Sequence, residues 1–581
     1  MPNEATVPTP ATPDVATITI LTDGQEIPGT YHVVSVTVTK ELNRIAKATL
    51  ILLDGEASQQ TFPISNAPDF LPGKEIEIQA GYRSQETTIF KGIIVGHNLK
   101  IRKTGAFLTV ECQDEAVKMT LDRKSKYFTE VKDSDVMEEL IGAYGLQSDV
   151  EATTVTYKEL VQFDATDWDF LITRAEANGM VARVSDGEVK IAKPVLSGDP
   201  VLTLAYGNTI LEFDVEMDAR HQFKAVKTAA WNHATQELVE AEANEPPAVV
   251  NGNVSTDDLA GAMNVESFNL GHSGRLQEPE LQSWADAKLL RQRLAKTCGR
   301  VTCQGFAGIK PGDLLELTGV GERFEGKVFV SAVRQQIAAG NWETDVQFGI
   351  KPDWHVHEFE IEQPAAAGLL PPVSSLQIGI VTVLEGDPDG EDRIKVRLPV
   401  ISTGDEGVWA RIATLDAGDK RGTFFRPEIG DEVIVGFLNG DPRHPVVIGG
   451  VHSSAKPAPE PPKDDNHRKG YISRSEMKMV FDDEKKIFTL ETPAGNKLVL
   501  SEDEKAITLE DQNGNKITMN SDGISLESAK DIILKATGDL KMEALKIEAN
   551  ASAGATIKSS ATLNLEASAT AVLKGVLVQI N

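Results

Sequence analysis

The sequence predicts a mainly β protein. It is expected to hold two small β-barrels with an interposed helical α+β unit, a five-stranded OB-fold barrel, and a C-terminal intertwined trimeric β-helix or β-prism rod. Three observations carry this. Between 487 and 581 apolar and polar residues alternate with a period of two, the mark of strands with one buried face. Upstream, short strand-like runs bounded by Gly, Pro, Asn and Asp recur in three blocks. The composition agrees, because 6% aromatics with 47 Gly and 28 Pro in 581 residues suits a turn-rich β chain better than a helical bundle.

Residues 1–16 are rich in Pro and Thr and are expected to form a disordered tail. The first barrel is assigned to 17–113, on runs beginning at Ala16 and at 33–38, 48–53, 75–78 and 108–112, with turns at Gly24, Gly29, Gly55, Gly73 and Gly105. A helical α+β unit follows over 114–235. Asp133, Ser134 and Asp135 offer caps for a helix at 136–144, which Gly145 ends. Thr166 offers its hydroxyl three residues ahead of Asp169 for a second helix, in which Trp168, Leu171, Ile172 and Ala175 fall at helical spacing and Asn178-Gly179 is the stop. Residues 236–362 combine an acidic, weakly patterned excursion, a helix capped at 283–286 and running to 296, and a second barrel with strands at 299–306, 314–317, 327–333 and 344–349. A Pro/Ala linker covers 363–376. The OB-fold barrel covers 377–452, with strands at 378–384, 394–398, 409–413, 432–438 and 446–449. A second stiff linker, 453–470, leads to the rod at 471–581.

The rod repeats itself. Gly495-Asn496-Lys497-Leu498-Val499-Leu500 returns as Gly514-Asn515-Lys516-Ile517-Thr518-Met519, and Ile507-Thr508-Leu509-Glu510 returns as Ile524-Ser525-Leu526-Glu527. A serial repeat of short strands builds a one-dimensional stack. Its candidate core residues are Ile507, Leu509, Ile517, Met519, Ile524, Leu526, Leu540, Met542, Leu545, Ile547, Leu563 and Leu565, giving way to alanines such as Ala549, Ala551, Ala567 and Ala569. A single-chain solenoid is one way to arrange them. Three chains wound about a shared axis would instead pair every edge and let small residues converge on a narrow rod, and this is the expected arrangement.

The chain has 58 Lys+Arg against 87 Asp+Glu, a net charge of −29. An acidic surface repels phosphate backbones, so nucleic-acid binding is not expected. Cys112, Cys298 and Cys303 are odd in number and form no CxxC pair, which points to buried free thiols rather than disulfides or a zinc knuckle. The first residues lack a basic stretch followed by an apolar run, so no signal peptide is expected, and no run of about 18 apolar residues predicts a membrane span. Synthesis in the cytoplasm is the expectation.

Three stretches invite a metal. His355-Val356-His357 lies beside Glu358 and Glu360 and is read as an exposed inter-domain segment. Asp387-Pro388-Asp389-Gly390-Glu391-Asp392 resembles half a calcium loop, but the position needing a bidentate Glu is Leu398, so a hairpin turn is expected. Asp511-Gln512-Asn513-Gly514-Asn515 shares that weakness. No metal, cofactor or catalytic residue is assigned, and G-x-S-x-G, H-E-x-x-H and P-loop motifs do not occur.

Several runs resemble the VgrG spike proteins, which fuse a contractile-tail hub to a cell-puncturing spike. Phe163-Asp164-Ala165-Thr166-Asp167-Trp168-Asp169-Phe170-Leu171 is similar to that family's helix start. Pro311-Gly312-Asp313 with Gly319-Val320-Gly321 is similar to its second-barrel stretch. The most specific run lies between Pro427 and Gly449, where Pro427-Glu428-Ile429-Gly430-Asp431-Glu432-Val433 is followed by Gly440-Asp441-Pro442-Arg443-His444-Pro445. The final Lys574-Gly575-Val576-Leu577-Val578-Gln579-Ile580-Asn581 resembles its rod ending.

The resemblance implies a homotrimeric, non-enzymatic central spike of a type VI or extracellular contractile injection system. Its hub would meet inner tube and baseplate proteins. Its rod would pierce a target membrane and carry a PAAR-type tip protein, with room for cargo effectors. Val576, Val578, Ile580 and Asn581 are the implied tip contact. About 20 residues separate barrel from rod, too few for the lysozyme domain of some phage spikes, and no fused toxin is expected after 581. The alternative is a β-helical polysaccharide-degrading or tailspike-type enzyme, which would need an acid/base cluster on the rod face.

Overall fold

Thirteen strands of the first part of the chain join into one sheet. The computed structural model describes residues 15–247 and 249–580, so most of the expected tail, and Asn581, lie outside the described residues. Two compact units are formed, Met1–Leu376 with Gly436–Pro445, and Gln377–Val435 with Val446–Asn581.

In the first unit, strands from Ala16–Thr22 to Gly105–Gln113 enclose a core of Ile20, Val36, Leu50, Ile78, Phe90, Leu108 and Val110. Strands from Leu202–Ala205 to Asn341–Phe348 enclose a second core of Val301, Cys303, Leu315, Val330, Val346 and Phe348. Alternation puts these side chains on one face of each strand, and each fully buried aliphatic or aromatic contributes about 1.5–3 kcal/mol. The two halves are not separate sheets. Strand Gly326–Ala338 pairs with His32–Glu41, setting Gln335 opposite Val38 and Ile337 opposite Val36. Residues 332–338 of this strand pair with His32–Glu41 along one edge and with Asn341–Phe348 along the other, so a single strand joins the two halves.

The interposed unit packs two helices against a three-stranded sheet. Helix Asp167–Ala177 is capped as its sequence requires, with the Thr166 hydroxyl accepting from the Asp169 N–H at 3.0 Å. Trp168, Leu171, Ile172 and Ala175 fill its buried face, against Val136, Met137, Leu140 and Ile141 of helix Asp133–Gly142.

Two helix expectations shift. The helix expected from residue 283 begins at Glu278, because Pro279 in the first turn fixes a helical φ and needs no N–H there. The excursion at 236–280 is structured: Glu237–Glu242 and Ser267–His272 flank Ala225–Asn232 in a three-stranded sheet, and helix Thr256–Met263 carries a capping box between Ser255 and Asp258.

Further along the chain, strands Gln377–Val383, Ile394–Arg397, Val408–Ile412, Glu432–Phe437 and Pro445–Gly450 close into a barrel. Its interior holds Val381, Ile394, Val396, Ala410, Val433, Val435 and Val447. Gly379 is required in the wall, since a Cβ there would lie 2.3 Å from Val396 Cγ1 and 2.8 Å from Val435 Cγ2. After the barrel, seven strands from Arg468–Ile472 to Gly523–Glu527 run as an antiparallel meander, each paired with its sequence neighbour. Gly495 (φ 94°) and Gly514 (φ 84°) take the left-handed turn conformation at equivalent points of the repeat.

Candidate functional site

The meander concentrates its apolar side chains on one face. Directly opposed residues of antiparallel strands point the same way, so the pairing can be read as columns. One column runs Tyr471, Met479, Leu490, Leu498, Leu509, Ile517, Leu526. Its neighbour runs Phe481, Phe488, Leu500, Ile507, Met519, Ile524, with Phe481 and Phe488 at 4.9 Å between ring centroids. None of these residues is buried within its own chain, and Leu509, Ile524 and Leu526 are at least half exposed.

The opposite face is polar and ordered by charge. Its central column is Val480, Thr489, Val499, Thr508, Thr518, Ser525. Beside it, successive strands place Lys478, Glu491, Lys497, Glu510, Lys516 and Glu527 in direct opposition, so sign alternates at every step. Opposite charges across strands stabilise by roughly 0.2–1 kcal/mol each. The two faces thus differ sharply in character, one apolar and half-exposed, the other lined by Lys, Glu and Thr.

The structure brings together Ile507, Leu509, Ile517, Met519, Ile524 and Leu526, all expected in the rod core. It does not bring together Leu540, Met542, Leu545, Ile547, Leu563 and Leu565. Among the described residues no strand follows Glu527, and these six side chains are exposed, as are Val576, Val578 and Ile580. Asn581 lies outside the described residues. The physical reason is a lack of partners: an extended segment satisfies its backbone only by pairing, and this chain supplies no further strand to pair with. Sequence reasoning missed Tyr471, Met479, Phe481, Phe488, Leu490, Leu498 and Leu500 as members of the same face. The signal was present, since Lys497-Leu498-Val499-Leu500 is the earlier copy of Lys516-Ile517-Thr518-Met519.

The other candidate stretches resolve into structure. His355 is 4% exposed, which corrects its reading as part of an exposed segment. Its Nε2 lies 2.8 Å from Asp169 Oδ1, and its backbone N–H donates to Glu176 Oε2 at 2.7 Å. Glu176 also accepts from Arg291 Nη1 at 2.7 Å and Asn43 Nδ2 at 3.1 Å. These contacts tie the 350s segment to helix Asp167–Ala177. His357 is exposed and takes no part.

In the 387–393 turn, Asp387 accepts from the N–H groups of Asp389, Glu391 and Arg393, and the Arg393 guanidinium fills the place a cation would need. That guanidinium holds the Asp387 carboxyl well below its usual range. Asp511 accepts from Asn515 and Asn513 in a turn of the same kind, which brings its carboxyl down to about 2. Burial raises the Cys303 thiol to about 12, so it is inert at neutral pH. Among the described residues no group of three or more His, Cys, Asp or Glu is placed to hold a metal, and no helix is long and apolar enough to cross a membrane.

Three family models match this architecture in order. The Alg8 N-terminal domain matches residues 12–339, more than half of the chain. The type VI secretion system/phage-baseplate injector OB domain matches 377–452, and the phage baseplate V C-terminal trimerisation domain matches 487–581. The chain belongs to the Alg8 N-terminal domain family, and its later domains are similar to those of VgrG-type spike proteins.

The chain is 34% identical over 96 residues to the type VI secretion system spike protein VgrG3 of Vibrio cholerae, covering 15% of the chain and 9% of that relative. It is 32% identical over 135 residues to the actin cross-linking toxin VgrG1 of Vibrio cholerae, covering 22% and 12%. With VgrG1b of Pseudomonas aeruginosa it shares 27% over 174 residues, covering 28% and 23%. The chain thus spans less than a quarter of the length of these curated relatives. Among solved structures, a tail protein of Neisseria meningitidis is 16% identical, with a TM-score of 0.44 over 58% of the chain and 98% of that structure. The Escherichia coli c3393 protein, a component of the type VI secretion system, is 12% identical, with a TM-score of 0.36 over 74% and 99%.

Proposed function

We propose that this protein is the central spike of a contractile injection machine and works as a homotrimer without catalysis. The observation that carries the reading is the amphipathic meander, continued by a 528–580 segment that has no strand of its own. Burying a half-exposed Leu or Ile side chain gains about 1 kcal/mol. Two columns of them give on the order of 10 kcal/mol per chain, the scale of the entropic cost of association. Three chains turned with their apolar columns to one axis would bury both columns and leave the Lys/Glu column in water. The same arrangement would pair 528–580 between chains, with Leu540, Met542, Leu545, Ile547, Leu563 and Leu565 continuing the core.

In this reading the sheet-rich first unit forms the hub that meets inner tube and baseplate proteins. The rod transmits axial force to a target membrane, and a closed, fully paired rod resists unfolding kinetically. Val576, Val578, Ile580 and Asn581 seat a PAAR-type tip, which carries cargo effectors with it, and contraction delivers the assembly out of the cell. The domain boundaries at 17–113, 114–235, 236–362, 377–452 and 471–581 are proposed as the working parts.

The test is native mass spectrometry of the full chain. A species of three times the 62.9-kDa chain mass is expected. Placing Asp at both Leu509 and Ile517 should abolish it, and a monomeric wild-type chain would sink the proposal. For the tip, Val578→Asp with Ile580→Asp should weaken binding of a PAAR-type protein at least tenfold in a pull-down titration while leaving the trimer mass unchanged.

A further inference from the structure

The barrel carries an apolar hairpin that its own chain leaves uncovered. Ala417–Gly418 pairs with Arg421–Gly422, and Ala417 stands opposite Gly422. The pairing continues outward: the Thr423 N–H donates to the Asp416 carbonyl at 2.9 Å, and the Thr414 hydroxyl donates to the Thr423 carbonyl at 2.8 Å. This register sets Leu415 opposite Phe424 at the base of the hairpin. They are 95% and 80% exposed, although both are large and apolar.

The next residue ties the hairpin to the rod. The Phe425 ring lies 4.8 Å from the ring of Tyr471, and Glu428 pairs with Arg474 at 2.8 Å. Tyr471 is the first member of the first apolar column, with Met479 directly below it. The upper rows, Tyr471, Met479 and Phe481, precede residue 487, where the trimerisation-domain match begins. They are exposed in the single chain and need cover as much as the rows beneath.

We infer that the hairpin 414–425 is a collar of the trimer: Leu415 and Phe424 of one protomer cover the upper rows of the apolar columns of a second copy of this chain. This rests on the trimeric reading above. The occupant is a second copy because the exposed pair is continuous, through Phe425 and Tyr471, with the face that reading turns toward other copies. The collar would fix the rotational setting of barrel against rod in neighbouring protomers. Its Asp416–Arg421 ion pair, at 2.8 Å, holds the turn from which the two apolar groups project.

The test uses the full chain with a photo-reactive benzoylphenylalanine at position 424, and separately at 415. Irradiation should give covalently linked dimers and trimers on a denaturing gel. The crosslinked peptides should map to Arg468–Ile472 or Lys478–Asp482 of the other chain. Native mass is measured on the same samples. A trimer whose crosslinks stay within one chain, or map to another surface, overturns the collar and leaves the trimer standing. A monomer overturns both. Independently, Leu415→Asp with Phe424→Asp should lower the dissociation temperature of the trimer by several degrees, and an unchanged temperature would count against the collar.

Discussion

His355 shows what a single buried polar side chain does in this molecule. Arg44 Nη1 approaches its Nδ1 at 3.5 Å, which leaves the ring proton on Nε2 to meet Asp169. The His355 ring stacks on Phe359 at 4.7 Å, and the Arg44 guanidinium lies over that same Phe359 ring at 4.2 Å. Replacing His355 by Ala leaves Asp169 Oδ1 without its partner and removes that stack, so a loss of roughly 1–3 kcal/mol is expected in urea unfolding. Asp169 and Asp167 also set an acid limit. Burial raises both carboxyls, but hydrogen bonds outweigh it, from His355 and Thr166 for Asp169 and from Gln162, Lys124 and Tyr144 for Asp167. Both therefore end below their ordinary value of 3.8. A depressed carboxyl stabilises the fold fully above its unfolded value, and that contribution is lost as pH falls through the folded one. The near-UV dichroism of the buried Trp168 should fade as pH drops below about 4, and Asp169→Asn should flatten that dependence. At this scale Thr166 as a helix cap was legible in sequence because capping is local. His355 was not, because its partner lies 186 residues away and no local pattern encodes the meeting.

At the scale of elements, the Lys/Glu column of the meander makes the sharpest prediction. Lys497 stands between Glu491 and Glu510. Lys497→Glu replaces two attractive cross-strand pairs by two repulsive ones, for an expected cost of about 1–2 kcal/mol per chain. Lys497→Gln removes the attraction only and should cost about half. The thermal stabilities should order wild type, Gln, Glu, and the gaps should narrow at 1 M salt, where exposed charges are screened within about 3 Å. The column also resists misregister, because a slip of one residue would turn every charge onto the apolar face. Period-two alternation was readable from residue 487 onward, and the repeat of Gly495 to Leu500 in Gly514 to Met519 gave the hairpin spacing. The fusion of the two hub halves through Gly326–Ala338 was not readable, since strand pairing across nearly three hundred residues leaves no periodic trace. Helix Thr256–Met263 escaped for the opposite reason: its capping box was plain, but eight residues hold too little periodicity to weigh against an acidic surrounding.

At the scale of the whole molecule, the division between what one chain completes and what it cannot complete falls at Glu527. The hub, barrel and meander form their own hydrogen bonds, whereas 528–580 has no strand assigned. A chain ended after Glu527 should keep the far-UV dichroism of its sheets but lose resistance of the trimer to detergent at elevated temperature, read on unboiled gels. The contrast sets an order in time. Synthesis delivers the hub and barrel first, and each can collapse locally while translation continues. In the proposed trimer the 528–580 segment, with no strand of its own among the described residues, orders only with two other chains, so its ordering depends on their concentration. If the proposed trimer holds, completion of the rod reports that three copies have met, so its far end would act as a check on assembly.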